Sequence, residues 1–309
     1  NIEIVAFVTN VNNATDQVSS NDTAYTTIYG CVASSTYTIG QSSNADFSTI
    51  DEALTALQNC GINSAVRLEI ESGSHFKDVV FSQSIPGAST TNTITFTSQS
   101  GNAADVVLTN TVIGNVNHLV FSKLTFEGVS NKYYNIQFVA SCDDIEFSDC
   151  ILYGDTNSAN IDNKTIPAIS ALCHQKGKGQ LTNFRMYRNY IYGGNYSLLF
   201  NGLVNKNDDI TLEDNIIAGG SSSSVYVRNT DLKMKNNTIS NRVSATNNEY
   251  RAIDSDTSNV DIINNTFNIE TNNKTTIYAM QIYSNIDFLR NCNIADNTIN
   301  FNVKTASST

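Results

Sequence analysis

The amino-acid sequence predicts an all-β solenoid, a parallel β-helix of about nine coils, and three observations indicate this fold class. A short template of alternating apolar residues recurs, and its clear copies are 22 to 39 residues apart. Each copy alternates with period two, as a half-buried strand does, and is followed by polar turn residues. Only one segment has helical periodicity. A single copy cannot bury its own apolar face, so the copies are expected to stack as coils.

The template reads apolar-x-apolar-x-x-anchor-x-apolar, and asparagine is the usual anchor. The anchor positions are Leu124, Cys150, Asn189, Asn215, Asn237, Asn265 and Asn297. Two fainter copies upstream contain Leu68 with Ile70 and Ile94 with Phe96. Asparagine tolerates the left-handed conformation of a sharp turn, and its amide can bond the same amide one coil along. We therefore expect the five anchor asparagines to form an inward-facing ladder.

The elements before the repeats have a different pattern. Residues 1–30 predict a strand pair, because Ile2, Ile4 and Ala6 alternate and a second strand-like run covers 25–29. Residues 31–65 predict an N-terminal cap with a helix over 46–60, in which Thr49 and Glu52 have capping-box spacing. This helix is expected to cover the open end of the β-helix, which spans 66–303 and is followed by a polar tail at 304–309.

Composition limits the class of protein. Asn, Ser and Thr make up 108 of the 309 residues, but 40% of the chain is hydrophobic, which is enough for a folded core. The net charge of −11 repels phosphate backbones, so no nucleic-acid partner is expected. No stretch of 18 apolar residues exists, so no membrane span is expected either.

Residues 36–108 carry a recognisable series of motifs. They are Thr36-Tyr-Thr-Ile-Gly40, Asp46-Phe-Ser-Thr-Ile-Asp-Glu-Ala-Leu54, Asn59-Cys-Gly61, Ile70-Glu-Ser-Gly73 and Gly87-Ala-Ser-Thr-Thr-Asn-Thr-Ile-Thr-Phe96. This series resembles the cap and first coils of right-handed parallel β-helix domains in large secreted or cell-surface multidomain proteins of Bacteroidetes. The resemblance implies an extracellular location and other domains in the same chain. Residues 1–30 likewise resemble the closing strands of the immunoglobulin-like domains that often precede such β-helices.

More distantly, the cap is similar to that of pectin methylesterases, and pectate lyases and polygalacturonases share the β-helix. The sequence lacks the paired-Asp, Gly-His-Gly and Arg-Ile-Lys set of polygalacturonases and the Trp-Gly-Arg of the esterases. It also shows no calcium-plus-base cluster of the pectate lyase kind. No catalytic residue is therefore assigned.

Candidate ligand-binding residues lie around the longest step of the repeat, between Cys150 and Asn189. Extra residues in a solenoid form a loop on one face, often the binding face. Basic and aromatic residues cluster in and beside this insertion, and the candidates are His174, Lys176, Lys178, Tyr187 and Tyr192. The basic groups could attract an anionic polysaccharide, and tyrosine rings could stack on sugars. Solenoid packing is the alternative explanation for the tyrosines.

Charged residues elsewhere fall into columns when the coils are placed in register. The columns are Glu146, Arg185, Thr211, Lys233, Asp261 and Asn293, and Asp149, Arg188, Asp214, Asn236, Asn264 and Asp296. Opposite charges meet on successive coils, which favours ion pairs between neighbouring strands.

Acidic pairs provide the hypothesis of a calcium site, since calcium prefers clustered oxygen ligands. The pairs are Asp143 with Asp144, Asp208 with Asp209, and Asp254 with Asp256. Each lies beside a turn, where aspartate is common without any metal. No other cofactor is expected.

The six cysteines show no CxxC spacing, so a zinc site is not expected. Cys31 precedes the first strand of the resembled family, and Cys60 ends the cap helix. We expect these two to form a disulfide, in keeping with an oxidising exterior.

Three functions stay open. The first is a non-catalytic, adhesin-like module that acts as a rigid spacer and contacts a polysaccharide or cell-surface glycan. The second is a polysaccharide lyase or glycoside hydrolase acting on an acidic polysaccharide at the basic insertion. The third is a structural filament or stalk unit.

Overall fold

The computed structural model describes residues 2–7, 23–28, 35–128, 134–154, 170–174, 177–202, 206–241, 249–271, 276–283 and 291–303. The first two strands, β1 (Ile2–Phe7) and β2 (Thr23–Ile28), pair antiparallel and form a sheet of their own. This is the strand pair that the alternation predicts. Its membership in a preceding immunoglobulin-like domain remains a prediction.

The rest of the described chain forms a right-handed parallel β-helix with three sheets, to which successive coils each contribute one strand. Sheet 1 consists of β3 (Thr36–Ile39), β4 (Val66–Ile70), β7 (Ile94–Ser98), β10 (Asn117–Ser122), β13 (Cys142–Ser148), β16 (Leu181–Tyr187), β19 (Asn207–Glu213), β22 (Thr230–Lys235), β25 (Asn259–Ile263) and β28 (Cys292–Ala295). The predicted fold class is confirmed.

The other two sheets run alongside the first. Sheet 2 consists of β5 (Ser74–Lys77), β8 (Val106–Thr109), β11 (Thr125–Glu127), β14 (Ile151–Tyr153), β17 (Tyr190–Tyr192), β20 (Ile216–Gly220), β23 (Thr238–Asn241), β26 (Thr266–Thr271) and β29 (Thr298–Val303). Sheet 3 consists of β6 (Val80–Phe81), β9 (Thr111–Ile113), β12 (Tyr134–Phe138), β15 (Ser170–His174), β18 (Tyr196–Asn201), β21 (Ser223–Arg228), β24 (Glu249–Asp256) and β27 (Thr276–Tyr283).

The core is a stack of inward side chains that repeats from coil to coil. Phe96, Phe121 and Phe147 occupy the same position on successive strands of sheet 1. Their rings stack, with centroids 5.9 Å apart between the first pair and 4.9 Å apart between the second. All three are fully buried, so each coil is held mainly by the apolar surface that its neighbours remove from water.

The asparagine ladder lies inside the corner between sheets 1 and 2. Each side-chain amide donates to the side-chain oxygen of the asparagine one coil along. The Nδ2···Oδ1 distances are 2.9 Å from Asn189 to Asn215, 3.0 Å from Asn215 to Asn237, 2.9 Å from Asn237 to Asn265 and 3.1 Å from Asn265 to Asn297. Each amide also donates to a backbone carbonyl, such as that of Met186 at 2.9 Å from Asn215. The buried donors are therefore satisfied within the ladder.

The left-handed conformation at this corner belongs to a different residue from the one expected. It is taken by the residue before each ladder asparagine, such as Arg188, Asp214 or Asn236, with φ of 54°, 57° and 58°. The sharp turn therefore falls at the exposed residue of the corner. The ladder asparagine is free to point inward and to bond its neighbours.

The cap helix α1 spans Ile50–Cys60, so it begins four residues later than the predicted start at 46. The reason is that Phe47 still belongs to the extended chain, because its N–H donates to the Thr38 carbonyl and its carbonyl accepts from Gly40. The Thr49 side chain accepts from the backbone N–H of Glu52 at 3.1 Å. At the other end, Gly61 adopts φ of 68° and its N–H donates to the Leu57 carbonyl.

The first coil pairs in a different register from the predicted one. Val66 and Leu68 lie opposite Ile94 and Phe96, whereas the template had aligned Leu68 and Ile70 with them. Val66, Leu68 and Ile70 are all buried, and a shift by two residues keeps the same face inward. Alternation alone cannot distinguish these registers where no anchor asparagine is present.

In the part of the chain that the structure describes, no helix has the length and apolarity needed to cross a membrane.

Candidate functional site

The structure does not bring the basic candidates together. His174 ends strand β15 and faces inward, level with Phe138 and Phe200 on the neighbouring coils. It is fully buried, its Nδ1 lies 3.1 Å from the side-chain nitrogen of Asn207, and burial lowers its pKa from 6.5 to about 4. His174 is therefore a neutral core residue, and the expectation that it contacts a ligand at the surface is corrected.

Of the two lysines in the same insertion, the structure describes one. Lys178 is exposed in the turn that joins sheet 3 to sheet 1, and Lys176 lies outside the described residues. Next to this turn is a groove of about 340 Å³, and Asn117, Asp143 and Gln180 are among its lining residues. The lining residues include one carboxylate and no cationic side chain, so the groove has no evident affinity for an anion.

The two candidate tyrosines lie on different sheets, separated by the corner at Asn189. Tyr187 is half-buried on β16 of sheet 1, whereas Tyr192 is half-buried on β17 of sheet 2. Tyr192 lies in a patch with Tyr190 and Tyr153, whose ring centroids are each 6.3 Å from the next. Tyr187 and Tyr192 thus cannot form one stacking platform.

The basic residues on sheet 1 are paired as the register predicts. Arg188 contacts Asp149 at 2.8 Å, and Arg185 contacts Glu146 at 3.3 Å and Asp144 at 2.5 Å. The prediction that these arginines form ion pairs between coils is confirmed. Asp144 also accepts from His118 at 2.7 Å. Burial alone would raise the pKa of Asp144, but the hydrogen bonds from His118 and Arg185 outweigh it and lower the pKa.

All three acidic pairs considered as calcium ligands have cationic or amide side chains as partners. Asp143 and Asp144 contact donors on the neighbouring coils, and Asp209 contacts Lys233 at 2.5 Å. Among the described residues, no group of three or more His, Cys, Asp or Glu side chains could hold a metal ion. Calcium binding therefore remains an expectation. The predicted disulfide also remains a prediction, because Cys31 lies outside the described residues.

The third acidic pair belongs to a polar cluster on the outer face of sheet 3. Strand β24 places Asp254 and Asp256 on that face, while Ile253 and Ser255 point inward. In register, Asp254 lies between Tyr226 and Gln281 of the adjacent strands. Asp256 lies between Arg228 and Tyr283. We call Tyr226, Arg228, Arg251, Asp254, Asp256, Gln281 and Tyr283 the sheet-3 cluster.

Two arginines hold the carboxylates of the cluster. The Arg228 Nε is 2.8 Å from Asp256, and the Arg251 guanidinium lies 3.8 Å from Asp254 and 2.6 Å from Glu249. Arg251 also donates to Gln281 and lies 5.8 Å from the ring centroid of Tyr278. The side chains of Asp254 and Asp256 are only 9% and 13% exposed. The carboxylates are therefore paired with cations and largely shielded from water.

The tyrosines of the cluster stay protonated at physiological pH. Burial, followed by the nearby charges of Asp254 and Asp256, raises the pKa of Tyr283 to about 12, although the arginines act in the opposite direction. Burial likewise raises the pKa of Tyr226. Both phenols can thus donate a hydrogen bond, and Tyr283 as a residue is 43% exposed. The cluster offers carboxylate acceptors, guanidinium and phenol donors and an aromatic surface within three coils.

Sequence reasoning missed most of this cluster, although a signal exists. Arg228, Asp256 and Tyr283 are spaced one coil apart, by 28 and 27 residues, as are Tyr226 and Asp254. Placing the strands of sheet 3 in register, as for sheet 1, would have aligned them. No anchor residue marks that register in the sequence.

Comparisons with known proteins find the fold but no close relative. No family model and no curated protein sequence matches the chain. Among solved structures, the pectin methylesterase from Aspergillus niger is 12% identical, with 90% of this chain and 83% of that chain covered and a TM-score of 0.46. The GH136 lacto-N-biosidase from Eubacterium ramulus is 10% identical, with coverages of 86% and 68% and a TM-score of 0.38.

A PL6 family alginate lyase is 13% identical, with 74% of this chain and 37% of that chain covered and a TM-score of 0.32. Similarity at this level carries no argument about activity. The function of the sheet-3 cluster is therefore inferred from its own geometry.

Proposed function

We propose that the protein is an extracellular β-helix module that binds a glycan on the outer face of sheet 3, through the sheet-3 cluster. The observation that carries this proposal is the shielded pair of carboxylates on β24, each within 4 Å of an arginine and each next to one tyrosine in register. Sugars present hydroxyl groups that both donate and accept, together with apolar ring faces. A site with fixed acceptors, fixed donors and aromatic surface is complementary to them.

The cluster differs from the other ion pairs on the surface. Lys233 and Asp209 are 58% and 49% exposed, as expected for a solvated pair that contributes little to stability. In contrast, Asp254 and Asp256 have lost most of their hydration, which is costly for a carboxylate. A cost of this kind at a surface position is typical of functional sites, which favours ligand binding as the role of these residues.

Catalysis on the bound glycan is the second candidate function, favoured by the spacing of the two carboxylates. Residues i and i+2 of a strand lie roughly 7 Å apart. Paired carboxyl groups of glycoside hydrolases are separated by about 5 to 10 Å, with one acting as acid and the other as base or nucleophile. Asp254 and Asp256 are two residues apart on β24, so their backbone spacing falls in this range. The basic insertion has less support as a lyase site, because His174, one of its candidate ligand-binding residues, is buried in the core.

In this proposal, the stacked coils also act as a rigid spacer. A filament built by end-to-end stacking is less well supported, because α1 covers one end of the solenoid. Location outside the cell and attachment to other domains belong to the proposal.

A glycan array followed by titration calorimetry tests the proposal. We expect the wild-type protein to bind an oligosaccharide and the D254N/D256N variant, which keeps the side-chain shape, to bind it at least tenfold more weakly. The matched control is D209N, which makes the same change at an exposed pair of sheet 1 and should bind like wild type. Absence of binding to every glycan, or equal binding by D254N/D256N, would contradict the proposal.

The same oligosaccharides, incubated with the protein and resolved by chromatography, test for cleavage. Shorter products from wild type but not from either single variant, D254N or D256N, would favour the enzyme. Binding without cleavage would favour the non-catalytic module.

A further inference from the structure

The charge balance of the sheet-3 cluster restricts the kind of glycan that it can take. Both cations are already engaged, since Arg228 contacts Asp256 at 2.8 Å and Arg251 contacts Glu249 at 2.6 Å and Asp254 at 3.8 Å. Within the cluster, two carboxylates balance two guanidinium groups. With Glu249, which lies beside the cluster on β24, three carboxylates contact two guanidinium groups, so this face of sheet 3 has an excess of negative charge at neutral pH.

The strands around the cluster add no further cation. Strands β18, β21, β24 and β27 carry five charged residues, which are the two arginines and three carboxylates already described. In these four described strands, every positive charge therefore has a carboxylate partner. The chain as a whole has a net charge of −11, so its long-range field also repels anions.

A uronic acid or sulfated sugar would meet unfavourable contacts at this site. Recognition of a carboxylate or sulfate is strongest where a cationic side chain has donors that face the ligand. Here the Nε of Arg228 lies 2.8 Å from Asp256, and Arg251 donates to Gln281 and contacts Glu249. An anionic group would also approach Asp254 and Asp256, whose shielding from water makes like-charge repulsion stronger.

Neutral hydroxyl groups have no such conflict. The carboxylates of Asp254 and Asp256 accept hydrogen bonds from hydroxyls, and the Tyr283 phenol donates one. The exposed ring of Tyr283, together with Tyr278 at 37% exposure, offers surface to the apolar face of a sugar. We propose that the sheet-3 cluster takes a neutral glycan, whose sugars carry no carboxylate or sulfate, and excludes anionic polysaccharides. This inference rests on the proposed function.

Asp256 contributes to this selectivity in a specific way. It forms an ion pair with the Arg228 guanidinium, which would otherwise attract an anion. Replacing Asp256 with asparagine removes one negative charge and weakens the hold on Arg228. The variant should thus gain affinity for anionic sugars, an effect that a purely structural role for Asp256 would not produce.

Probes that differ only in charge test the inference. They are the hexamers of galacturonic and mannuronic acid and their carboxyl-reduced counterparts, titrated by calorimetry at low and high salt alongside the glycan array. We expect wild type to bind neutral glycans, and to bind whichever reduced hexamer fits at least tenfold more tightly than the acid form. In D256N the affinity for the acid form should rise at least fivefold, and this gain should vanish at high salt. D209N serves as the control and should show no gain.

Tighter binding of an acid hexamer by wild type would overturn the inference and leave the proposed function intact. No gain in D256N, with thermal unfolding unchanged, would overturn the part assigned to Asp256. Failure of wild type to bind any glycan would overturn the proposed function and this inference with it. If D256N does not fold, the wild-type preference and the D254N variant, which also removes a negative charge, decide the question.

Discussion

Equivalent inward positions differ in their exposure to solvent between the two ends of the described β-helix. At the N-terminal end, the buried side chains Ile50 and Leu57 of α1 pack over the first coil, and Ile39 on β3 is fully buried. In the last described coil, Ile294, Ile299 and Phe301 are 47%, 43% and 53% exposed. Their register partners one coil earlier, Ile262, Phe267 and Ile269, are fully buried.

The difference shows that an inward position in a solenoid is buried by the next coil or by a cap, and not by the alternation of its own strand. The same apolar residue therefore contributes different amounts of stability in the middle and in the last described coil. Four measurements test this difference between the interior and the ends of the solenoid.

The largest contrast is expected between two phenylalanines. Phe147 is fully buried and its ring centroid lies 4.9 Å from Phe121 and 5.5 Å from Phe126. Phe147→Ala should lower the free energy of unfolding by about 3 to 5 kcal/mol, because it leaves a cavity in the ring stack. Phe301→Ala, at a position more than half exposed, should cost about 1 kcal/mol or less. Urea titrations followed by circular dichroism measure both, and equal losses would refute the contrast.

The free energy of unfolding is expected to depend on pH through His174, in the middle of the solenoid, by about 3 kcal/mol. Its pKa in the folded protein, about 4, is lower than the ordinary 6.5, so protonation favours the unfolded chain. The stability linked to His174 is fully present above pH 6.5 and is lost as the pH falls from 6.5 towards 4. His174→Gln should flatten the stability profile in this window. His75→Gln, at an exposed position, is the control and should leave the profile as in wild type.

A smaller contrast is expected along the asparagine ladder. Asn215→Ala should cost about 2 to 3 kcal/mol, because it leaves the buried amide of Asn189 and the Met186 carbonyl without their partners. Asn297→Ala removes the acceptor of Asn265 in the half-buried last described rung, where water can replace it, and should cost about 1 kcal/mol. Thermal unfolding compares the two, and the reverse order would show that the ladder is not strongest in its interior.

The smallest effect is expected at the cap. Thr49→Ala removes the side-chain acceptor of the Glu52 N–H and should cost about 1 kcal/mol. Amide hydrogen exchange should then speed up in α1 and β4, while β26 keeps its protection because each coil contacts only its neighbours. Faster exchange along the whole solenoid would indicate that the coils unfold as one unit.

How much could be predicted from sequence depends on where the chain carries an anchor. Where asparagine marks the corner, the template aligned Phe184 with Ile210 and Arg185 with Thr211, as the structure does. Without an anchor, the first coil was misaligned by two residues, since Leu68 and Ile70 are both apolar. His174 was misassigned because its inward direction depends on strand β15, whereas the interpretation relied on the lysines nearby.

The sheet-3 cluster was also not predicted, because no anchor residue marks the register of its strands. Turns of different length separate sheet 2 from sheet 3, so Arg228 and Asp256 cannot be aligned by counting from Asn215 and Asn237. Their ion pair needs the strand pairing of β21 with β24, which is a long-range contact.

The ladder has a consequence for how this protein can vary in length. The corner between sheets 1 and 2 contains two residues in each coil from β10 to β28, as with Arg188 and Asn189 between β16 and β17. A third residue there would push the amide out of line with its neighbours. Insertions are therefore confined to the other two corners, where they would leave the solenoid at steps of about 4.8 Å along its axis. Foreign loops inserted at these two corners could therefore be displayed at chosen, regular intervals along the protein.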